Sequence, residues 1–453
     1  RSTLFPYTTL FRSLVFPDLA RLADKLYAHR CFVDQTPACS DIRISGKDKI
    51  WLVGGLGKGG KGYFCLDITE VDRMGSFSPE NLKQLVQWEF KDDEGLGYTF
   101  SEPVIVRTKS PQHEYVVIFG NGYGCKDGFS RLYIVDAITG QVIRNLRTEK
   151  GDNNGMSSPI VTDVNNDGKA DFVYAGDLKG HIWKWSLEAD DPLLWDFSFR
   201  DRDSKPAPLF STSEGQPVTT RPDVMRHPNR HGYMVCFGTG KYLGVSDRGT
   251  ENIQAIYGIW DYGDDPGEYL GAFNAKTGQL SNHPDQGPSK VRLAPQLITA
   301  MEDEDGLPVW RTVSKHPVRY ETIPDAQDSN PNQRLKKGQP NPVRDAGWYL
   351  DLTASERVHQ NIRIRNNVLI VLTRLPSPVP CRGGGSSLAY ALDPATGGMI
   401  DKAACVDTPS LVNEPLIIST PDGDHLVYDK TKSVFPFPNG GVRQGMYFWR
   451  QMF

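Results

Sequence analysis

Short apolar runs recur along this chain and divide most of it into repeats. Each copy has three runs: one that contains a proline, one that ends in glycine, and one rich in aromatic residues. The copies span residues 36–67, 101–136, 157–186 and 215–261, a degenerate copy lies at 360–393, and a fragment begins at 414. The runs are nearly continuous in hydrophobicity, which predicts strands that are buried on both faces.

The spacing of the repeats indicates the fold class. Their leading prolines are Pro37, Pro103, Pro159 and Pro217. Three or four strands in every ~40–60 residues are typical of a β-propeller blade. A single small sheet cannot bury both of its faces, so blades must stack on one another. The sequence therefore predicts an all-β fold, a propeller of about six to seven irregular blades.

One long segment does not follow this rhythm. Residues 264–345 are rich in proline, aspartate, asparagine and glutamine, with an acidic run at 302–305. We expect this segment to be a long, partly irregular insertion between blades.

A second recurring pattern is D-x-x-T-G. It occurs at residues 136–140 and 393–397, with a variant at 274–278. Aspartate can accept hydrogen bonds from the backbone two or three residues on, and glycine adopts positive φ, so the pattern predicts hairpin turns. The same pattern marks propellers of the quinoprotein dehydrogenase type, which makes the predicted propeller quinoprotein-like.

Composition and charge argue against several classes of function. The 453 residues carry a formal net charge of −4, which argues against nucleic-acid binding, because phosphate backbones need clustered cations. No apolar run approaches the ~18 residues of a membrane-spanning helix. The nine histidines lie in no recognisable serine or cysteine nucleophile signature. We therefore expect no enzyme, no nucleic-acid partner and no transmembrane segment.

The first residues differ from the rest. Residues 1–13 resemble a translated sequencing adaptor and lack the apolar core of a signal peptide. We interpret them as a non-native tail and expect the propeller to occupy 14–453. On this interpretation any export signal is missing from the chain.

The seven cysteines form no C-x-x-C pair, which makes zinc and thioredoxin-like sites poor interpretations. Pairs such as Cys31 with Cys39 could form disulfides, and a role as small buried apolar residues is equally compatible with the sequence. The cysteines therefore permit an oxidising compartment without requiring one.

One loop carries metal-binding chemistry. Residues 163–171 read D-x-N-x-D-G-x-x-D. The predicted ligands are the side chains of Asp163, Asn165, Asp167 and Asp171 and the backbone carbonyl of Lys169. Oxygen donors at alternating positions of a tight loop favour Ca²⁺, and Gly168 permits the sharp turn. Tyr174 stands where an EF-hand has its bidentate glutamate, so Asp171 must supply the last carboxylate. The alternative is a polar hairpin turn without an ion.

Several sequence segments together resemble the C-terminal propeller of the PilY/PilC family. They lie at residues 53–69, 96–104, 118–123, 174–183, 237–243, 257–261 and 347–352. They follow one another in order from about residue 29 to the end of the chain, so the resemblance covers most of it.

The resemblance implies a type IV pilus biogenesis factor and tip-associated adhesin. Its expected partners are the minor pilins of the tip complex and a host or abiotic surface. The resemblance also implies calcium binding by the 163–171 loop, linked to pilus extension against retraction, twitching motility and attachment. The implied location is the extracellular pilus tip, associated with the outer membrane and reached through the periplasm.

Two alternatives stay open on the sequence. A calcium-stabilised interaction propeller of the integrin type would use the same D-x-N-x-D-G-x-x-D loop, although such proteins normally carry it in several blades. A quinoprotein dehydrogenase would combine a propeller with Ca²⁺, although its adjacent pair of cysteines is missing from this chain.

Overall fold

The computed structural model describes residues 14, 22, 24, 26–29, 31–73, 84–150, 154–263, 269–281, 291–302, 310–320, 344–376, 386–400, 405–408, 416–420, 423–429 and 432–437. The chain divides into two compact units, and each is described separately. Unit 1 comprises residues 1–178, 184–197 and 447–453, and unit 2 comprises 179–183 and 198–446. The predicted tail, 1–13, lies outside the described residues.

Unit 1 is built from antiparallel sheets. The first has the order β1 (Ala38–Ile44), β2 (Lys47–Gly55), β3 (Tyr63–Asp67) and β4 (Val86–Phe90). The second has the order β5 (Val104–Arg107), β6 (Tyr115–Gly120), β7 (Phe129–Asp136) and β8 (Val142–Lys150). Next, β9 (Ile160–Thr162) pairs with β10 (Phe172–Gly176), and the end of β11 (His181–Ser186) pairs with β12 (Asp196–Phe197).

In unit 1 the prediction that strands are buried on both faces is confirmed for β7, β9 and β10 and is wrong for β1, in which only Ile42 is buried. Every residue of β9 and β10 is buried, as is nearly all of β7. Aromatic rings fill the space between the first two sheets: Tyr63 and Phe119 have centroids 4.0 Å apart, and Phe90 lies edge-on to Tyr133 at 5.3 Å. Such pairs add to the stability given by burial of apolar area.

Unit 2 contains longer sheets. One has the order β14 (Asp223–Arg226), β15 (Tyr233–Gly238), β16 (Ala255–Asp261), β22 (Arg344–Asp351), β19 (Val291–Gln296), β18 (Gln279–Leu280), β17 (Gly271–Asn274) and β13 (Phe210–Ser211). Another has the order β20 (Ile298–Glu302), β21 (Trp310–Val313), β27 (Cys405–Thr408), β26 (Ser386–Leu392) and β25 (Val368–Leu375). The strands β23 (Arg357–Val358) and β24 (Arg363–Arg365) also pair with β25. A third sheet holds β28 (Leu416–Thr420), β29 (Gly423–Asp429) and β30 (Lys432–Phe437).

Helix is scarce in the described residues. Short 3-10 helices lie at Val71–Arg73, Pro192–Leu194 and Val245–Gly249. Among the residues that the structure describes, no helix has the length and apolar character needed to cross a membrane.

One detail of the predicted organisation is corrected. The copy at residues 215–261 does not open with a strand at 215–221; there, Val218 forms an isolated bridge with Gly240, and the first strand is β14, Asp223–Arg226. Of the segment 264–345, predicted to be a partly irregular insertion, the structure describes residues 269–281, 291–302, 310–320 and 344–345. These residues include strands β17 to β21, and β19 pairs in parallel with β22, which lies about fifty residues later in the chain.

The D-x-x-T-G pattern forms turns, as predicted. The carboxylate of Asp136 accepts hydrogen bonds from the N–H groups of Ile138 and Thr139, at 3.1 and 2.8 Å, and Gly140 has φ +70°. The carboxylate of Asp393 likewise accepts hydrogen bonds from the N–H groups of Ala395 and Thr396, at 2.8 and 2.9 Å. The pattern therefore serves chain reversal in both units.

Among the residues whose side chains the structure describes, five cysteines form no disulfide. They are Cys31, Cys39, Cys65, Cys125 and Cys236. Cys65 and Cys236 are buried, in agreement with the interpretation of some cysteines as small apolar residues, and burial raises the pKa of both thiols.

Candidate metal centre

The predicted calcium loop connects the two strands β9 and β10. Thr162 faces Phe172 across the antiparallel pair, and the N–H of Asp171 donates to the carbonyl oxygen of Thr162 at 2.9 Å. The first and last predicted ligands, Asp163 and Asp171, therefore start from adjacent strand ends. The ladder brings together two carboxylates that are eight positions apart in the sequence.

Hydrogen bonds order the interior of the loop. The carboxylate of Asp163 accepts from the N–H groups of Asp167 at 3.2 Å and Gly168 at 2.7 Å. The amide oxygen of Asn165 accepts from the N–H of Asp167 at 2.9 Å, and the carboxylate of Asp167 accepts from the N–H of Lys169, also at 2.9 Å. The bonds accepted by Asn165 and Asp167 are Asx turns, in which a side-chain oxygen accepts from the N–H two residues on, whereas Asp163 accepts from N–H groups four and five residues on. Three of the predicted ligand side chains, those of Asp163, Asn165 and Asp167, therefore accept hydrogen bonds from the backbone inside one tight turn.

Gly168 is required for the backbone conformation. Its φ is +77°, in the left-handed region, and a Cβ built there would meet nothing within 4 Å. Space is available, so the requirement for glycine is conformational. Asn166 has φ +61°, which asparagine tolerates better than most residues.

Exposure differs along the loop. The side chains of Asp163 and Asp171 are buried, whereas Asn165 and Asp167 are exposed. A buried carboxylate needs hydrogen bonds or a counter-charge to offset the loss of hydration. The loop thus has a buried base formed by its two ends and an exposed tip from which an ion could enter.

Lys109 supplies the counter-charge at the base. Its Nζ lies 2.6 Å from Oδ1 of Asp171, and the other oxygen of that carboxylate accepts from the N–H of Val164 at 2.8 Å. Burial alone would lower the pKa of Lys109, but the hydrogen bond and negative charge of Asp171 outweigh it and raise the pKa. Lys109 is therefore a cation at neutral pH.

Sequence reasoning did not identify Lys109. It belongs to the connection between β5 and β6, in the preceding repeat, and no motif links it to residues 163–171. Only the packing of two repeats brings it to Asp171. A single lysine in a polar turn carries no signal that could have singled it out.

The chemistry of the loop fits Ca²⁺. It presents three carboxylates, one amide oxygen and a backbone carbonyl, all hard oxygen donors of the kind that calcium prefers. Within the described residues, no group of three or more His, Cys, Asp or Glu side chains is already arranged to hold a metal ion. The loop oxygens are instead engaged by backbone N–H groups and by Lys109, so an ion would have to replace some of these bonds.

Comparison with known proteins gives consistent matches over most of the chain. A family model described as the PilY1 beta-propeller domain matches residues 10–284. The type IV pilus biogenesis factor PilY1 of Pseudomonas aeruginosa strain UCBPP-PA14 is 32% identical over 443 residues, which are 89% of this chain and 36% of that protein. A PilY1 homolog of Xylella fastidiosa strain Temecula1 is 30% identical over 408 residues, 85% of this chain and 24% of that protein. This chain therefore spans about a third or less of the length of these relatives.

A solved structure agrees with these matches. The crystal structure of the Pseudomonas aeruginosa PilY1 C-terminal domain matches this chain with a TM-score of 0.70 and 25% sequence identity. The match covers 92% of this chain and 87% of the chain in the crystal structure. The predicted β-propeller fold is confirmed by this similarity together with the family match. The matches favour the pilus interpretation over the integrin-like and quinoprotein alternatives.

Proposed function

The chain belongs to the PilY1 β-propeller family, and we propose that it is the calcium-binding propeller of a type IV pilus biogenesis factor. The observation that supports the calcium part is the 163–171 loop, in which the side-chain oxygens of Asp163, Asn165 and Asp167 accept hydrogen bonds within one turn between two paired strands. The pilus part rests on relatives named as type IV pilus biogenesis factors.

In this proposal Asp163, Asn165, Asp167, Asp171 and the carbonyl of Lys169 hold the ion. The ion would neutralise carboxylates at the buried end of the loop and tie β9 to β10. A site of this kind binds calcium with dissociation constants anywhere from the sub-micromolar range to ~10⁻³ M. At a calcium concentration about 100 times the dissociation constant, binding would stabilise the folded state by about 2.7 kcal/mol.

The biological role follows from the family. We propose that the propeller acts at the extracellular tip of the pilus, with export through the periplasm and association with the outer membrane. Its partners would be minor pilins of the tip complex and a host or abiotic surface. Calcium occupancy would shift the balance between pilus extension and retraction, and so twitching motility and attachment. No catalytic step is part of the proposal.

Calcium titration calorimetry tests the metal assignment on the whole chain after treatment with a chelator. We expect the wild-type chain to bind one calcium ion, and Asp167→Asn to weaken binding at least about tenfold, because it removes a charged ligand. Asp167 is a better target than Asp171, since an exposed residue can be changed with little risk to folding. Asp93→Asn, at an exposed turn outside the loop, is the matched control. If no calcium binding were detected up to ~10 mM, which lies beyond the usual range of extracellular modules, the loop would be a polar turn without a metal site.

A chimera tests the pilus role. Residues 29–453 of this chain would replace the corresponding region of Pseudomonas aeruginosa PilY1 in a strain that lacks its own copy. We expect the wild-type chimera to restore surface pili and twitching, and Asp167→Asn to alter the ratio of the two at unchanged protein level. If both chimeras restored surface pili and twitching equally, calcium binding by this loop would have no role in the control of the pilus.

A further inference from the structure

We propose that Lys109 is an internal competitor of calcium, a tethered cation that occupies the Asp171 carboxylate when the ion is absent and leaves it when the ion binds. This inference rests on the proposed calcium site and adds a residue that sets its affinity. It also links calcium occupancy to the β5–β6 connection, which contributes no ligand.

The contact geometry supports a competitive role. Nζ of Lys109 sits 2.6 Å from Oδ1 of Asp171, whose side chain is fully buried, whereas 19% of the lysine side chain is exposed. The second carboxylate oxygen is held by the N–H of Val164, so the oxygen that Lys109 contacts is the one that can exchange partners. A calcium ion bound through this oxygen would take the place of the ammonium group.

The backbone that carries Lys109 is fixed. The N–H of Ala170, next to Asp171, donates to the carbonyl oxygen of Arg107 at 2.8 Å. The connection itself is held by Thr108, whose N–H donates to the carbonyl of Glu114 at 2.7 Å and whose hydroxyl donates to the carbonyl of His113 at 2.6 Å. Because both chain segments are anchored, the exchange can occur through the lysine side chain alone.

Charge makes the two cations exclusive. An ammonium group and Ca²⁺ in contact with the same buried carboxylate repel each other strongly, because water screens them poorly there. Lys109 has an alternative direction: 19% of its side chain is exposed, and the negative charges of Asp167 and Glu188 also favour its ammonium form. The lysine can therefore leave Asp171 for a solvated, still negatively charged position.

A competitive role for Lys109 predicts a result that a purely structural role does not. Lys109 stabilises the ion-free fold, because removal of one partner of a buried ion pair leaves an uncompensated charge. In the calcium-loaded fold the ion already compensates Asp171, so the lysine contributes little. Loss of its charge should destabilise the ion-free chain, tighten calcium binding and leave the loaded chain nearly unchanged.

The test compares wild type with Lys109→Met, which keeps the length of the side chain and removes its charge. Lys126→Met is the matched control, because Lys126 forms an exposed pair with Glu94 in the same unit. Calcium affinity is measured by calorimetry, and thermal unfolding is followed in chelator and in saturating calcium. We expect Lys109→Met to bind calcium at least about fivefold more tightly, at the lower end of typical coupling between two binding events. We expect a lower Tm in chelator only, and no change for Lys126→Met.

The outcomes separate this inference from the calcium proposal. If wild type binds calcium and Lys109→Met binds it equally, Lys109 is no competitor, although the site stands. Equal loss of Tm with and without calcium would make the lysine purely structural. If neither chain binds calcium, both proposals fail. Should Lys109→Met fold only when calcium is present, its Tm in saturating calcium decides: a value equal to that of wild type supports competition, and a lower value makes the lysine purely structural. Lys109→Arg, which retains the charge, is expected to bind calcium with an affinity close to that of wild type.

Discussion

Gly120 ends strand β6 at a point where another segment passes very close. A Cβ at this position would lie 2.4 Å from the carbonyl oxygen of Ser157 and 2.7 Å from that of Met156. Both obstacles are backbone atoms, which cannot rotate away. The glycine that closes the second run of the repeat is therefore needed for close approach, as the sequence pattern indicates.

Gly120→Ala tests this requirement. We expect the free energy of unfolding to fall by about 1–3 kcal/mol, the usual cost of overpacking, as measured by urea denaturation. Gly249→Ala is the control, because a Cβ there meets nothing within 4 Å; its effect should stay within about 0.5 kcal/mol. A Gly120→Ala chain as stable as wild type would mean that the neighbouring backbone moves freely.

At the scale of elements, the serine at the start of a repeat forms hydrogen bonds that connect this repeat to the next. The hydroxyl of Ser101 accepts from the N–H of Gly120 at 2.8 Å and donates to the carbonyl of Ser157 at 3.0 Å. Ser157 in turn accepts from the N–H of Gly176 at 3.2 Å. One repeat is thus bonded to the next through the same residue type at the same position. The pattern is visible in the sequence, although its bonding role is not.

Unit 2 contains a buried ionic network that joins several strands. Glu356 is fully buried and accepts hydrogen bonds from Arg311 at 2.8 Å, Thr373 at 2.6 Å and Tyr390 at 2.8 Å. The donors lie on β21, β25 and β26. All of them satisfy one carboxylate, so the network fixes the positions of the strands relative to one another.

Arg311→Met should be strongly destabilising. It leaves the Glu356 carboxylate buried without its cation, which typically costs about 3–5 kcal/mol, measured by urea denaturation. The double variant Arg311→Met with Glu356→Gln removes the stranded charge and should recover part of the loss. Arg43→Met, at an exposed pair with Asp48, is the control and should have no measurable effect. Full stability of Arg311→Met would show that the pair contributes nothing.

The sequence predicts those parts of the fold that depend on local pattern. Apolar runs ending in glycine correspond to β6, β10 and β15, and D-x-x-T-G corresponds to turns. The prediction fails where apolar residues are buried without forming a strand, as at Val218. It also fails where a strand pairs with a distant one, as β19 does with β22. Lys109 was missed for the same reason, because its partner lies 62 residues away.

At the scale of the whole molecule, the proposed calcium site lies within one of the two compact units, so calcium binding there would be a local event. The 163–171 loop and Lys109 both belong to unit 1. Amide exchange through local opening reports the stability of the segment that opens. If opening of the loop releases the ion, calcium slows exchange only for amides whose opening disrupts the site.

Hydrogen exchange with and without calcium tests this. We expect peptides covering β5, β9 and β10 to exchange up to about 100-fold more slowly at a calcium concentration 100 times the dissociation constant. A peptide covering β25, in unit 2, should be unchanged, and Asp167→Asn should abolish the effect. Equal slowing in both units would mean that they open as one cooperative body, so that calcium stabilises the whole propeller. Protection confined to unit 1 would instead make the segments that carry β5, β9, β10 and the loop the part of the molecule on which calcium acts.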